Sequence, residues 1–200
     1  MRMNNILPLY MMFNGTNIDE SISDKMKDWL WLFRVFILIG VTIFTIGQLA
    51  GTPDGEYAAY IWFTVGILAT WIVSLRIIAK KSSGGQSMQD IKTGVMEMLP
   101  NIGTLIPLVL MIYISSKVKH IIEANYNNLP GKYFWFNKFV FFLIVLQLFT
   151  LHKFYDGGVG DKKTYPTKGI YMAVLLLLSI LSTASAVELY VITTSFITDG

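Results

Sequence analysis

Five long apolar runs, at residues 29–50, 57–79, 95–116, 133–154 and 170–192, alternate with short polar stretches along this chain. Each comes close to the twenty or so residues that a helix rising ~1.5 Å per residue needs to cross about 30 Å of hydrocarbon. A water-soluble core has no room for so much uninterrupted apolar sequence. The pattern therefore predicts an all-α integral membrane helical bundle of about five transmembrane helices.

The polar stretches punctuate the runs. Gly51-Thr52-Pro53-Asp54-Gly55 is a turn short enough to force an antiparallel hairpin between the first two spans. Trp29 and Trp31 open the first run, and Tyr57, Tyr60 and Trp62 open the second, as expected of aromatic side chains at headgroup depth. The third run holds Glu97, Pro100, Gly103 and Pro107, so either it is kinked or only its later half is fully membranous. Ahead of the spans, residues 1–28 form a polar arm. Within it Ile18, Ile22 and Met26 recur at helical spacing behind the cap candidate Ser21, which predicts a short interfacial helix. No internal repeat is visible.

Composition sharpens this picture. The 200 residues are 54% hydrophobic and 14% charged, outside the usual balance of soluble domains. The absence of cysteine excludes disulfides, thiolate metal sites and a thiol nucleophile. The formal charge of +3 comes from lysines in short loops beside apolar spans, where they set topology and meet anionic headgroups rather than nucleic acid. Of the 16 basic residues, Lys117, Lys119, Lys132 and Lys138 fall on one side and the other twelve on the opposite side. The positive-inside rule then predicts an inside N-terminus and an outside C-terminus.

Ionisable groups at membrane depth cost about 2.5–3.5 kcal/mol each on insertion scales, so each needs an explanation. Lys138 and Glu188 both lie roughly 10 Å outward of their helix midpoints, a depth at which they can meet as an ion pair. Arg34, Arg76 and Glu97 share the opposite leaflet and form a second candidate cluster across the first three helices. Both groups are expected to fix helix register or to snorkel to water. Small residues mark the expected packing faces: Gly40 and Gly47 on the first helix, and Ser179, Ser182 and Ala186 on the last. Gln147 is the expected interhelical hydrogen-bond partner on the fourth. His120 and His152 lie in separate segments without metal spacing. No nucleophilic triad, phosphate loop or paired carboxylates appear, so neither a catalytic residue, a cofactor nor a metal is expected.

From the third span onward, Leu99-Pro100, an apolar span closing on Tyr113, a polar connector, Phe136-Asn137-Lys138 leading into 143–149, and the terminal Thr198-Asp199-Gly200 form a recognisable succession. It resembles small, uncharacterised multi-span membrane proteins of large eukaryotic double-stranded DNA viruses. The resemblance covers residues 95–200 and implies a component of the internal membrane beneath an icosahedral capsid.

The resulting expectation is a non-enzymatic structural or scaffolding membrane protein. Its partners would be the lipid bilayer, further copies of itself, or other membrane or capsid proteins, and not nucleic acid. The alternative is a small ion or proton channel or transporter, viroporin-like, that uses Glu97 or Glu188.

Overall fold

The computed structural model describes residues 22–82, 99–121, 126, 128–156 and 165–199. Among them it is all helical: α1 (Ile22–Ala50), α2 (Pro53–Ser82), α3 (Leu99–Ile121), α4 (Gly131–Asp156) and α5 (Tyr165–Asp199). Four stretches are long and apolar enough to cross a membrane: Trp31–Ala50, Pro100–His120, Gly131–Phe154 and Gly169–Ile197. The protein is thus a multi-pass membrane bundle.

The helices alternate in direction. Gly40 of α1 lies under the Phe63 ring of α2, while Gly47 faces Gly55, so α1 and α2 are antiparallel. Glu56, Tyr60 and Phe63 of α2 meet Tyr133, Asn137 and Phe141 of α4 in the same ascending order, which makes α2 and α4 parallel. Gly103 meets Ser179, and Tyr113 meets Tyr190, so α3 and α5 are parallel too. The Gly51 turn and the 126–130 connector therefore lie at one end of the bundle, the turn end, and residue 152 at the other.

Bilayer solvation shows in the distribution of side chains. Leu38, Ile46, Leu49, Val65, Ile72, Ile106, Val109, Phe142, Leu176, Leu177 and Ile180 are exposed. Glu56, Thr70, Asn101, Thr104, Ser115, Asn137, Gln147, His152, Ser182 and Thr193 are buried. Polar groups inside and apolar groups outside is the arrangement that lipid demands, because water would drive both sets the other way.

Several boundaries differ from the sequence expectation. The helix begins no later than Ile22 and continues unbroken into the first span, so the expected interfacial helix is not a separate element over 22–28; residues 1–21 lie outside the described residues. α3 passes through Pro107 as one continuous helix and carries Lys117 and Lys119 in its last turns rather than in a loop. The largest revision is at α2, which starts at Pro53, the favoured first position, since proline has no N–H to leave unpaired there. Asp54 and Gly55 are thus helical instead of completing the turn, and Glu56, which fell between the turn and the second run, is helical with them. Gly51 alone takes up the reversal with φ 66°, a left-handed backbone that glycine adopts without steric cost.

Candidate functional site: a buried carboxylate at the turn end

The site begins with the glycine pair. A Cβ on either Gly47 or Gly55 would collide with the other's Cα, so α1 and α2 touch backbone to backbone beside the turn. This approach carries Gln48 of α1 and Glu56 of α2 inward at the same level. Glu56 is 0% exposed.

Three donors converge on its carboxylate. The Gln48 amide donates to Oε1. The Tyr126 hydroxyl donates to the same oxygen at 2.5 Å, and the Tyr133 hydroxyl donates to Oε2 at 2.8 Å. One turn further along α2, the Tyr60 hydroxyl donates to Asn137 Oδ1 at 2.8 Å, and the Asn137 amide also bears on the carboxyl. Its nitrogen is buried without a hydrogen bond of ordinary geometry. The rings of Tyr126, Tyr133 and Phe134 pack edge to face and close the nest on the connector side.

Among the described residues no basic side chain forms an ion pair with Glu56. Among the described residues this end also carries the Lys119–Asp54 ion pair, at 2.5 Å, with the Lys119 ammonium 5.5 Å from the centroid of the Tyr57 ring. Two opposed effects therefore set the Glu56 proton affinity. Burial penalises the charged form, while the hydrogen bonds from Tyr126, Tyr133 and Gln48, with the nearby Asn137 amide, favour it. Burial wins: the carboxyl, in the first turn of α2 ahead of the apolar run 57–79, is pushed up from 4.5 to about 7. Burial and the adjacent Glu56 charge likewise push the Tyr126 phenol up.

This donor set also limits what the site can hold. A metal ion requires converging lone pairs, whereas the nest presents N–H and O–H groups. Its anion is the chain's own Glu56, and the ligand such a carboxylate can still take is a proton.

The other candidate residues fall elsewhere. Lys138 and Glu188 are both on exposed faces, and no ion pair joins them, so the expected tie between the fourth and fifth helices is absent. The physical reason is rotational: equal depth does not make two helices turn the same faces to each other, and buried Gln147, Ser182 and Ala186 occupy the facing surfaces instead. Glu97 and the side chain of Arg76 lie outside the described residues. Arg34 reaches across to α4, where its Nε donates to His152 Nε2 at 2.7 Å. The histidine accepts at that nitrogen and joins α1 to α4 far from the turn end.

The small residues serve close packing. Gly40 accommodates Phe63, Gly47 accommodates Gly55, and Ala186 is fully buried. Ser179 meets Gly103 and accepts from the Gln147 amide at 2.9 Å, while the Ser182 hydroxyl reaches Gln147 Oε1 at 3.3 Å and the Leu178 carbonyl at 2.7 Å.

Sequence reasoning missed the Glu56 nest. Its traceable signal was depth: Gln48 ends one apolar run, while Tyr60, Tyr133 and Asn137 open two others, and alternating helices bring all four to one level. Comparison with protein-family models, with curated proteins and with solved structures finds no match for this chain.

Proposed function

We propose that this is a non-enzymatic structural membrane protein that acts by helix packing in the bilayer and presents its polar loops to protein partners. One observation carries the reading. The strongest polar groups of the interior are engaged with side chains, Glu56 with Gln48 and two tyrosines, Gln147 with two serines, and His152 with Arg34, while Thr70, Thr104 and Thr193 bond to their own helix backbone. Such pairing consumes hydrogen-bonding capacity that a conducting path would offer to water and ions. Two clefts among the described residues, one lined by Tyr113, Lys117, Tyr190 and Thr193 and the other by Gly131, Phe134, Trp135 and Lys138, include none of these side-chain pairs.

The resemblance of residues 95–200 to viral multi-span proteins supports a place in a virion's internal membrane, and the lysine distribution supports an inside N-terminus. Two experiments test the proposal. Purified virions should contain the chain, with its loop lysines crosslinking to capsid or membrane neighbours. Liposomes holding the purified protein should show no ion flux at any pH from about 5 to 9. A flux abolished by Glu56→Gln would replace this reading with that of a proton or ion conductor.

A further inference from the structure

Lys138 and Glu188 stand at one level on the outer surface of the bundle. Gln147 of α4 meets Ser179 and Ser182 of α5. Lys138 lies nine residues before Gln147, and Glu188 lies nine and six residues after the two serines. Because α4 and α5 run in opposite directions, both charges sit roughly 9–14 Å from that crossing, towards the turn end. Both residues are exposed, and among the described residues neither makes an ion pair.

The two charges are not equally equipped for hydrocarbon. Lys138 is near the start of α4, and its four-carbon stem can carry the ammonium towards the headgroups. Glu188 has a shorter stem and lies nine residues inside the end of the apolar stretch Gly169–Ile197. Exposed Leu181, Ala184, Val187 and Val191 share its face and offer it no polar partner. A carboxylate so placed calls for a cation at its own depth. The bundle carries one there, on a face that its own Glu188 does not meet.

We propose that Glu188 of one copy pairs with Lys138 of a second copy inserted in the same direction, so that α5 of the first packs on α4 of the second. Depth dictates the common direction, since an inverted copy would hold its lysine in the opposite leaflet. The surfaces beside the charges are matched in shape too. Around Lys138, Trp135 and Phe142 project at 78% and 60% exposure, and Gly131, Phe134, Trp135 and Lys138 line a cleft. One turn before Glu188 stands exposed Ala184, small enough to let a large ring approach its helix. The contact leaves the first copy's Lys138 and the second copy's Glu188 to engage in turn, with each other in a two-fold pair or with further copies in a ring or row.

Within one copy the two charges stay uncoupled, so protein dispersed singly in detergent gains no stability from them. The inference rests on the reading of the chain as a packing protein of the bilayer and names its partner; virion content and ion flux test that reading separately.

Energy transfer between full-length copies in phosphatidylcholine vesicles tests the contact. The chain has no cysteine, so Asn128→Cys supplies one exposed attachment point for a donor or an acceptor dye. Transfer should exceed that of randomly placed copies at the same density. It should fall several-fold in Glu188→Lys and in Lys138→Glu, each of which sets like charges against each other between copies. Mixing the two variants should restore it, because a copy with two lysines then meets a copy with two glutamates. Mixing would not rescue a tie internal to one copy. Should either reversal fail to insert, Glu188→Gln and Lys138→Met take its place: each removes the same pair, so each should lower transfer by a similar factor and the two together no further. The proposal is overturned by wild-type transfer at the random level, by substitutions that leave transfer unchanged, or by inserted reversals whose mixture stays low.

Discussion

Glu56 and Glu188 are carboxylates in the same half of the same bundle, yet their surroundings are opposite. Glu188 lies inside the longest apolar helix and is exposed on its outer face. Glu56 lies three residues into a helix, beside a turn, and is fully enclosed by donors from three other segments. Position along an apolar run is thus a poor guide to burial in a membrane bundle. What decides is which face the neighbouring helices cover, and at Glu56 the covering group arrives from a connector 70 residues away.

The most severe way to break this contrast is to truncate both acids. At about pH 5.5, Glu56→Ala leaves the hydroxyls of Tyr126 and Tyr133 and the Gln48 amide without their acceptor. Two buried hydroxyls are stranded, and the Gln48 amide keeps only its contact to the Tyr126 hydroxyl at 3.4 Å, so a loss of roughly 3–5 kcal/mol is the expected result, seen as a large fall in Tm in detergent. Glu188→Ala should stay within about 0.5 kcal/mol of wild type. Equal losses would erase the distinction.

The next test acts on the scaffold that brings Glu56 inward. Gly47→Ala inserts a methyl group where the Gly55 backbone stands, so the hairpin must open; destabilisation of about 1–3 kcal/mol is expected. Changing Ala50, exposed at the end of the same helix, to Ser should have little effect in the same thermal assay.

The pH dependence sharpens the comparison further. A carboxyl whose affinity is raised in the folded state, from 4.5 to about 7, contributes stability that is complete below about pH 4.5 and lost as pH rises through about 7. The contribution of Glu56 to Tm should therefore fall between about pH 5 and 8, and Glu56→Gln should remove that decline, leaving the variant more stable than wild type at about pH 8. A Tm contribution that rises over this interval and vanishes in Glu56→Gln would mean that the donors outweigh burial.

The smallest expected effect concerns Lys138 and Glu188. With no ion pair between them, a Lys138→Met and Glu188→Gln double-mutant cycle should give a coupling energy near zero, within about 0.3–0.5 kcal/mol. A coupling clearly beyond that range would restore the tie inferred from their equal depth.

The overall class of the molecule was legible because hydrocarbon imposes a length and a polarity on every crossing element, and the apolar runs record both. The packing role of Gly40 and Gly47 was partly legible, since small residues on one stripe permit close approach. Their partners were not: Gly55 and Phe63 are chosen by the rotation of α2, which no periodicity encodes. Glu56 was hidden by its neighbours, since a turn of Gly51 to Gly55 suggests solvent. Pro53 held the contrary signal, a first-turn proline that starts the helix early enough to take Glu56 into it.

The central claim is that one glutamate of this bundle is enclosed and binds its proton near neutrality. Carbon-13 labelling of the glutamate carboxyls, followed by NMR across pH in nanodiscs, tests it most directly. One resonance, missing in Glu56→Gln, should titrate near pH 7. If the resonance lost in that variant titrates instead in the ordinary range near 4.5, the carboxyl is hydrated and the enclosed site does not exist.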